Sequence, residues 1–269
     1  LNLFFVIVCK LDVAGVAIAS IASQYISAIL IFISLLKNKG GASVRWKYLK
    51  ITPEKAKKIL GLGLPSGFQN SIFSIANLFI QKAVNYFDET FFNGNTAAAN
   101  ADALIYDLLA AYYTACSSFM GQNFGAGDRE RVHESIHKGL LIHLTTSALF
   151  SVIIFSGRYP MMHLFVGDDP TVIAIGAQVT ALIAPCYVLF TLVEVLSSTM
   201  RGVGDAVVPA AITMVFTCIV RLIYLWGYAF SHNSNLTIAV IYPISWVLTS
   251  IAFLLYYKSR KWMPKGFHF

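Results

Sequence analysis

Seven apolar, charge-poor runs follow one another along the chain: Val13 to Leu36, Ile59 to Gln81, Thr96 to Met120, Gly139 to Ser156, Thr171 to Met200, Ala206 to Phe230 and Leu236 to Tyr257. Each is near or above the roughly 20 residues that a helix needs to cross a bilayer core. In hydrocarbon every backbone N–H and C=O must find a partner inside the protein, which leaves helices and closed barrels as the only spanning structures. A spanning strand needs only about 9–11 residues, so runs of this length are helices. Composition agrees, with 57% of 269 residues hydrophobic and 12% charged. The expected fold is all-α, a polytopic helical membrane protein. Leu1 to Cys9 reads as the tail of an eighth span. With no initiator Met, basic n-region or small-residue cleavage site ahead of it, the expectation is that the natural protein continues upstream.

The net charge of +7 invites a nucleic-acid reading, but its distribution argues for orientation in a membrane. Lys37, Lys39, Arg45, Lys47, Lys50, Lys55, Lys57 and Lys58 fill one loop, Arg129, Arg131 and Lys138 another, Arg201 starts a third, and Lys258, Arg260, Lys261 and Lys265 form the tail. These segments alternate with acidic or neutral loops at Asp88-Glu89, Asp168-Asp169 and Ser231 to Asn235, so most of the 20 bases share one side. The positive-inside rule puts that side, and the C-terminus, in the cytoplasm. No nucleic-acid partner is expected.

Cys9, Cys116, Cys186 and Cys218 lie in or beside apolar runs without metal or disulfide spacing, and read as packing residues. The sequence has no HExxH, GxSxG, P-loop or Cys/His metal pattern. No enzyme, metal site or cofactor is expected.

Between two of the runs sits Ser117-Ser118-Phe119-Met120-Gly121-Gln122-Asn123-Phe124-Gly125-Ala126-Gly127, and Asp128 to Lys138 then carry three acids and three bases. A span is expected to end here, with Gly121, Gly125 and Gly127 turning the backbone and the Gln122 and Asn123 amides satisfying carbonyls freed at the helix end. This string resembles the motif closing the second span of the C-terminal half in multidrug and toxic compound extrusion (MATE) transporters. Val13-Ala14-Gly15-Val16-Ala17-Ile18-Ala19-Ser20-Ile21-Ala22-Ser23-Gln24 is similar to the start of the last N-lobe span, and Gly61-Leu62-Gly63-Leu64-Pro65-Ser66-Gly67 to the opening of the C-lobe. Met200-Arg201-Gly202-Val203-Gly204-Asp205, with Pro209 after it, is similar to the turn before the fifth C-lobe span. The resemblance implies that residues 1–36 end an N-lobe, 37–58 form a basic cytoplasmic inter-lobe loop, 59–257 make a six-span C-lobe and 258–269 a basic tail.

Ionisable and amide side chains inside a bilayer are costly and mark partners, cavities or ion paths. Asp102 and Asp107 share one span, Glu194 lies two turns before Arg201, Arg221 sits mid-span and Lys82 ends the first C-lobe span. At 100° per residue Asp102 shares a face with Tyr106, Tyr113 and Ser117, whereas Asp107 is turned about 140° away toward Ala103, Thr114 and Ser118. Asn70, Asn77, Gln81 and Asn85 form a polar stripe within about 60° of arc, suited to interhelical hydrogen bonds or to a water-filled substrate path. Arg221 is expected to bond a carboxylate, Glu194 or Asp107, either as a fixed helix contact or in competition with a coupling ion. Pro65, Pro185, Pro209 and Pro243 fall in or at the ends of spans, and none stands out as a hinge.

The resemblance implies a cation-coupled (H⁺ or Na⁺) antiporter exporting organic, often cationic compounds across the cytoplasmic membrane. It also implies Asp102 as the acidic position ahead of the GQNFGAG string, with the N-terminal lobe of the same chain and the bilayer as partners. Ion coupling is expected at Asp102, Asp107, Glu194 and Arg221. The cavity is expected at Asn70, Asn77, Gln81, Asn85, Tyr106 and Tyr113. Two alternatives stand: a lipid-linked oligosaccharide flippase of the same superfamily, which calls for more basic residues on the cavity, and a membrane prenyltransferase, which needs paired aspartates for Mg²⁺.

Overall fold

A computed structural model of the chain describes residues 1–38, 47, 50–86, 89–228 and 235–264. Lys39, Arg45, Asp88, Ser231 to Ser234 and Lys265, which carry part of the orientation argument, lie outside the described residues. Among the described residues there are eleven α-helices and no strand. The chain divides into two compact units, Leu1–Lys57 and Lys58–Phe269. The first holds a π-helical turn at Phe4–Val8 and helix α1, Asp12–Lys37. Only Gly15 and Ala19 of α1 are buried, and the helix is otherwise an exposed apolar rod.

The second unit is built on α2 (Pro53–Val84, begun in the first unit), α3 (Glu89–Gly125) and α4 (Arg129–Ser156), followed by a short α5 (Arg158–Val166). Then come α6 (Pro170–Ile183) and α7 (Tyr187–Gly202), joined by a 3₁₀ turn at Ala184–Cys186. α8 (Val207–Ile212) passes through a π-helical stretch, Thr213–Ile219, into α9 (Val220–Gly227). α10 (Asn235–Ala239) and α11 (Ile241–Lys258) close the chain.

Five helical segments among the described residues are long and apolar enough to cross a membrane: Asp12–Lys37, Arg129–Ser156, Pro170–Gly202, Val207–Gly227 and Leu236–Lys258. The other two expected spans lie in α2 and α3, of 32 and 37 residues. Their length suffices, but polar residues such as Asn70, Asn77, Asn100 and Asp102 dilute their apolarity. One link is not a plain turn, because α5 fills it with nine helical residues.

α3 is the central helix, packed on α4, α6 and α7. One buried cluster joins Ile105 and Leu109 of α3 to Tyr187 of α7 and Trp246 of α11, and a second joins Met120, Leu196, Met200 and Phe253. Large apolar side chains point outward from α4 and α5, among them Leu141, Leu149 and Leu164, as expected where the surrounding solvent is lipid. Of the four prolines, Pro185 lies in the 3₁₀ turn that separates α6 from α7. Pro209 and Pro243 fall in first turns, where a missing N–H breaks no helical bond.

Candidate functional site

α3 runs through Gly121, Gln122 and Asn123 to Gly125, four residues beyond the first glycine of the motif. The reversal falls at Gly127, whose φ is +75°, a conformation that favours glycine because it has no Cβ. Asp128 N–H donates to the Asn123 carbonyl at 3.1 Å and Gly127 N–H to that of Phe124 at 3.0 Å, a Schellman cap. Asp128 then caps α4, accepting from the Arg131 N–H at 3.0 Å. The expected role of the amides is thereby corrected: Gln122 donates to Ser118 Oγ at 3.2 Å and Asn123 to Ser135 Oγ at 2.9 Å. The backbone amides cap the carbonyls, which frees Asn123 to tie α3 to α4.

The second motif ends the same way. Gly204 has φ +101°, with Gly204 N–H bonded to Arg201 O and Asp205 N–H to Met200 O, both at 3.0 Å. Asp205 accepts from Tyr256 Oη of α11 at 2.7 Å. The two motifs meet in space: a Cβ at Gly202 would lie 2.5 Å from Met120 Cβ and 3.2 Å from Gly121 N. Small residues let α3 and α7 approach this closely, and the approach fixes Arg201 beside the interior of the unit.

That interior holds a cavity of about 460 Å³, lined from α2 by Ser66, Gln69, Asn70 and Phe73, and from α3 by Tyr106 and Tyr113. α7 contributes Phe190, Glu194, Ser197 and Arg201, and the π-helical stretch Thr213 and Thr217. Glu194 is the one carboxylate lining it among the described residues, with Arg201 as its charged neighbour. Arg201 is occupied: Nη1 donates to Ser66 Oγ, Nη2 to Gln69 Oε1, and Nε to Ser197 Oγ at 3.4 Å. It fastens α2 to α7 at the end of the cavity.

Asp102 lies outside the lining, one helical turn from Tyr106, and accepts a hydrogen bond from Tyr187 Oη. Tyr187 is fully buried against Trp246, and Tyr106 packs on Phe190 with ring centroids 5.1 Å apart. Asp107 is on the other side of α3, exposed, with no side-chain bond among the described residues. The two aspartates therefore form no Mg²⁺ pair, which removes the geometric basis of the prenyltransferase reading. No cluster of three or more His, Cys, Asp or Glu able to hold a metal occurs among the described residues.

Arg221 is 1% exposed, and its expected carboxylate partner is corrected by the structure. Its Nε donates to Ser245 Oγ at 2.9 Å and its guanidinium lies 4.6 Å from the centre of the Tyr242 ring. Glu194 instead neighbours Arg201, and Asp107 faces outward, so neither carboxylate is presented to Arg221. A guanidinium stacks on an aromatic face where an ammonium does not, which suits it to this site.

Of the stripe Asn70, Asn77, Gln81 and Asn85, Asn70 alone lines the cavity. Asn77 is half-buried, while Gln81 and Asn85 are exposed and bonded to each other at 3.2 Å. The stripe that does reach the cavity is Ser66, Gln69, Asn70 and Phe73, spaced i, i+3, i+4, i+7, a pattern present in the sequence beside the longer amide stripe. Tyr187 carried no comparable signal, because its partner is 85 residues away.

The MatE family model matches residues 65–226, more than half of the chain. The "Probable multidrug resistance protein NorM" of Thermotoga maritima is 23% identical over 219 residues, covering 79% of this chain and 46% of that protein. The "Probable multidrug resistance protein YpnP" of Bacillus subtilis is 26% identical over 267 residues, covering 96% and 57%. The chain thus spans about half the length of the curated relatives it matches. Among solved structures, an outward-facing multidrug resistance MATE family transporter of the MOP superfamily superposes with a TM-score of 0.85 at 18% identity, over 96% of this chain and 58% of that one. By its family-model match, its relatives and its fold, the chain belongs to the MatE family of multidrug and toxic compound extrusion transporters.

Proposed function

We propose that the natural protein exports organic cations across the cytoplasmic membrane in exchange for H⁺ or Na⁺, with the basic loop and tail on the cytoplasmic side. The observation that carries this reading is Glu194, a carboxylate on a cavity whose walls include Phe73, Tyr106, Tyr113 and Phe190. A carboxylate among aromatic faces favours a cation with an apolar body. Asp102 is the proposed coupling group. Ionised, it accepts a charge-assisted bond from Tyr187 Oη; protonated, it can still accept through its carbonyl oxygen, but that bond weakens and the new O–H needs a partner of its own, so the local contacts rearrange. Tyr187 begins α7 directly after the 3₁₀ turn, so the rearrangement acts at a bend and shifts the balance between inward and outward states. The flippase reading is less well supported, since Arg201, the base on the cavity, is already engaged by Ser66 and Gln69.

The test is transport of a fluorescent organic cation in everted vesicles carrying the natural full-length protein. Asp102→Asn is expected to abolish gradient-driven export with membrane insertion intact, and Glu194→Gln to raise the apparent KM for the cation. Undiminished gradient-driven export by Asp102→Asn would overturn the coupling assignment.

A further inference from the structure

A second cavity, of about 480 Å³, lies between α3 and α4, away from the residues assigned to transport. Its size is within the range of about 300–1,000 Å³ typical of small-ligand sites. Ala115, Cys116 and Phe119 of α3 and Gly139 and Ile142 of α4 form its apolar part. At Gly139 the floor is tight, since a Cβ there would lie 3.1 Å from Cys116 Sγ. Phe119 and Ile142 are 62% and 50% exposed, so the groove opens outward where large apolar side chains face lipid.

The other end of the groove is polar and charged on one helix face. Arg131, Glu134, Ser135 and Lys138 follow at i, i+3, i+4 and i+7 on α4, and apolar character starts immediately after, at Gly139 and Ile142. The boundary between headgroups and acyl chains therefore crosses the groove near Lys138. An acyl chain gains little by leaving other lipid tails for an apolar groove, so any selectivity must come from the headgroup.

We infer that this groove is a binding site for a phospholipid with a phosphate and a primary ammonium in its headgroup. Two bases and one acid in sequence match that charge pattern. Arg131 and Lys138 meet the phosphate, and Glu134 accepts from the ammonium. Glu134 is bonded to Lys138 at 2.5 Å and Arg131 to Asp128 at 3.4 Å, but both pairs are solvent-exposed and keep unused capacity. A lysine ammonium has three donors, a guanidinium five, and a carboxylate two oxygens. A quaternary ammonium has no N–H to give Glu134, so a choline headgroup is discriminated against.

The experiment is native mass spectrometry of the delipidated natural full-length protein, with phosphatidylethanolamine, phosphatidylcholine and phosphatidylglycerol added in equal amounts. The expected result is at least a fivefold excess of phosphatidylethanolamine adducts over either competitor. Glu134→Gln is expected to equalise ethanolamine and choline lipids with overall retention kept, and the pair Arg131→Gln, Lys138→Gln to reduce retention of all three. Gly139→Leu, which fills the floor, is expected to reduce retention without changing the headgroup ranking. Equal retention of ethanolamine and choline lipids by the natural protein, preference for the glycerol lipid, or an ethanolamine preference that survives Glu134→Gln would each overturn the inference.

Discussion

Gly202 faces Met120 across the contact of α7 with α3, so closely that a β-carbon on the glycine would sit 2.5 Å from the Met120 β-carbon. Backbone also closes in, with Ser117 O at 3.0 Å, so the clash cannot be relieved by one side chain turning aside. Gly202→Ala is expected to destabilise by about 1–3 kcal/mol, the usual range for overpacking. Gly121→Ala meets its nearest atom only at 3.4 Å and is expected to cost less. Thermal unfolding of both purified variants checks the order.

Arg201 holds α2 to α7 through two different nitrogens, a geometry that a lysine cannot reproduce. Arg201→Lys and Gln69→Leu are each expected to speed amide exchange in the segment 62–73 while α11 stays unchanged. Loss of a hydrogen bond to a charged group is worth about 1.5–3 kcal/mol, enough for a rise of about 10- to 150-fold in local opening. Exchange mass spectrometry reads both segments in one experiment.

Asp107 is exposed and makes no side-chain bond among the described residues, so Asp107→Asn is expected to change stability by less than about 0.5 kcal/mol. Tyr187→Phe removes the hydroxyl that Asp102 accepts from, and leaves that carboxylate short of a donor at a cost of about 1–3 kcal/mol. Melting temperatures of the two variants, measured side by side, decide whether the two aspartates differ as described.

The expected spans and the observed helices agree closely at the C-terminal end, Leu236 to Tyr257 against Leu236–Lys258, and diverge at α3, Thr96 to Met120 against Glu89–Gly125. Hydropathy reports the apolar stretch, and α3 extends past it at both ends, through the buried Phe91 on one side and through Gly121 to Gly125 on the other. Tyr106, Tyr113 and Asn70 were legible as cavity residues because each is a polar or amphipathic group within a spanning run, whereas Glu194, expected among the ion-coupling residues, lines the same cavity. The bonds of Arg201 to Ser66 and Gln69, and of Tyr187 to Asp102, were not legible. They join residues 85 to 135 positions apart, and helical periodicity gives a face without naming what lies opposite. Arg221 shows the same limit: its burial was foreseeable, but that its partners are Ser245 and the Tyr242 ring was not.

Gly204→Ala is expected to cost about 1–2 kcal/mol, the penalty for a β-carbon in a left-handed conformation, with Gly204→Asn milder. Chemical denaturation of the three proteins in detergent gives the comparison.

The capping bonds of the Gly127-Asp128 turn, from Asp128 N–H to Asn123 O, Gly127 N–H to Phe124 O and Arg131 N–H to Asp128, lie within nine residues, Asn123 to Arg131. These bonds, which end α3 and begin α4, are local in sequence. The order of assembly follows: as the ribosome delivers this stretch, the α3–α4 hairpin can take its shape before α6, α7 or α11 has been made. The chain behind it then has a finished corner to fold against, and damage to that corner is expected to surface as failed biogenesis before it surfaces as altered transport.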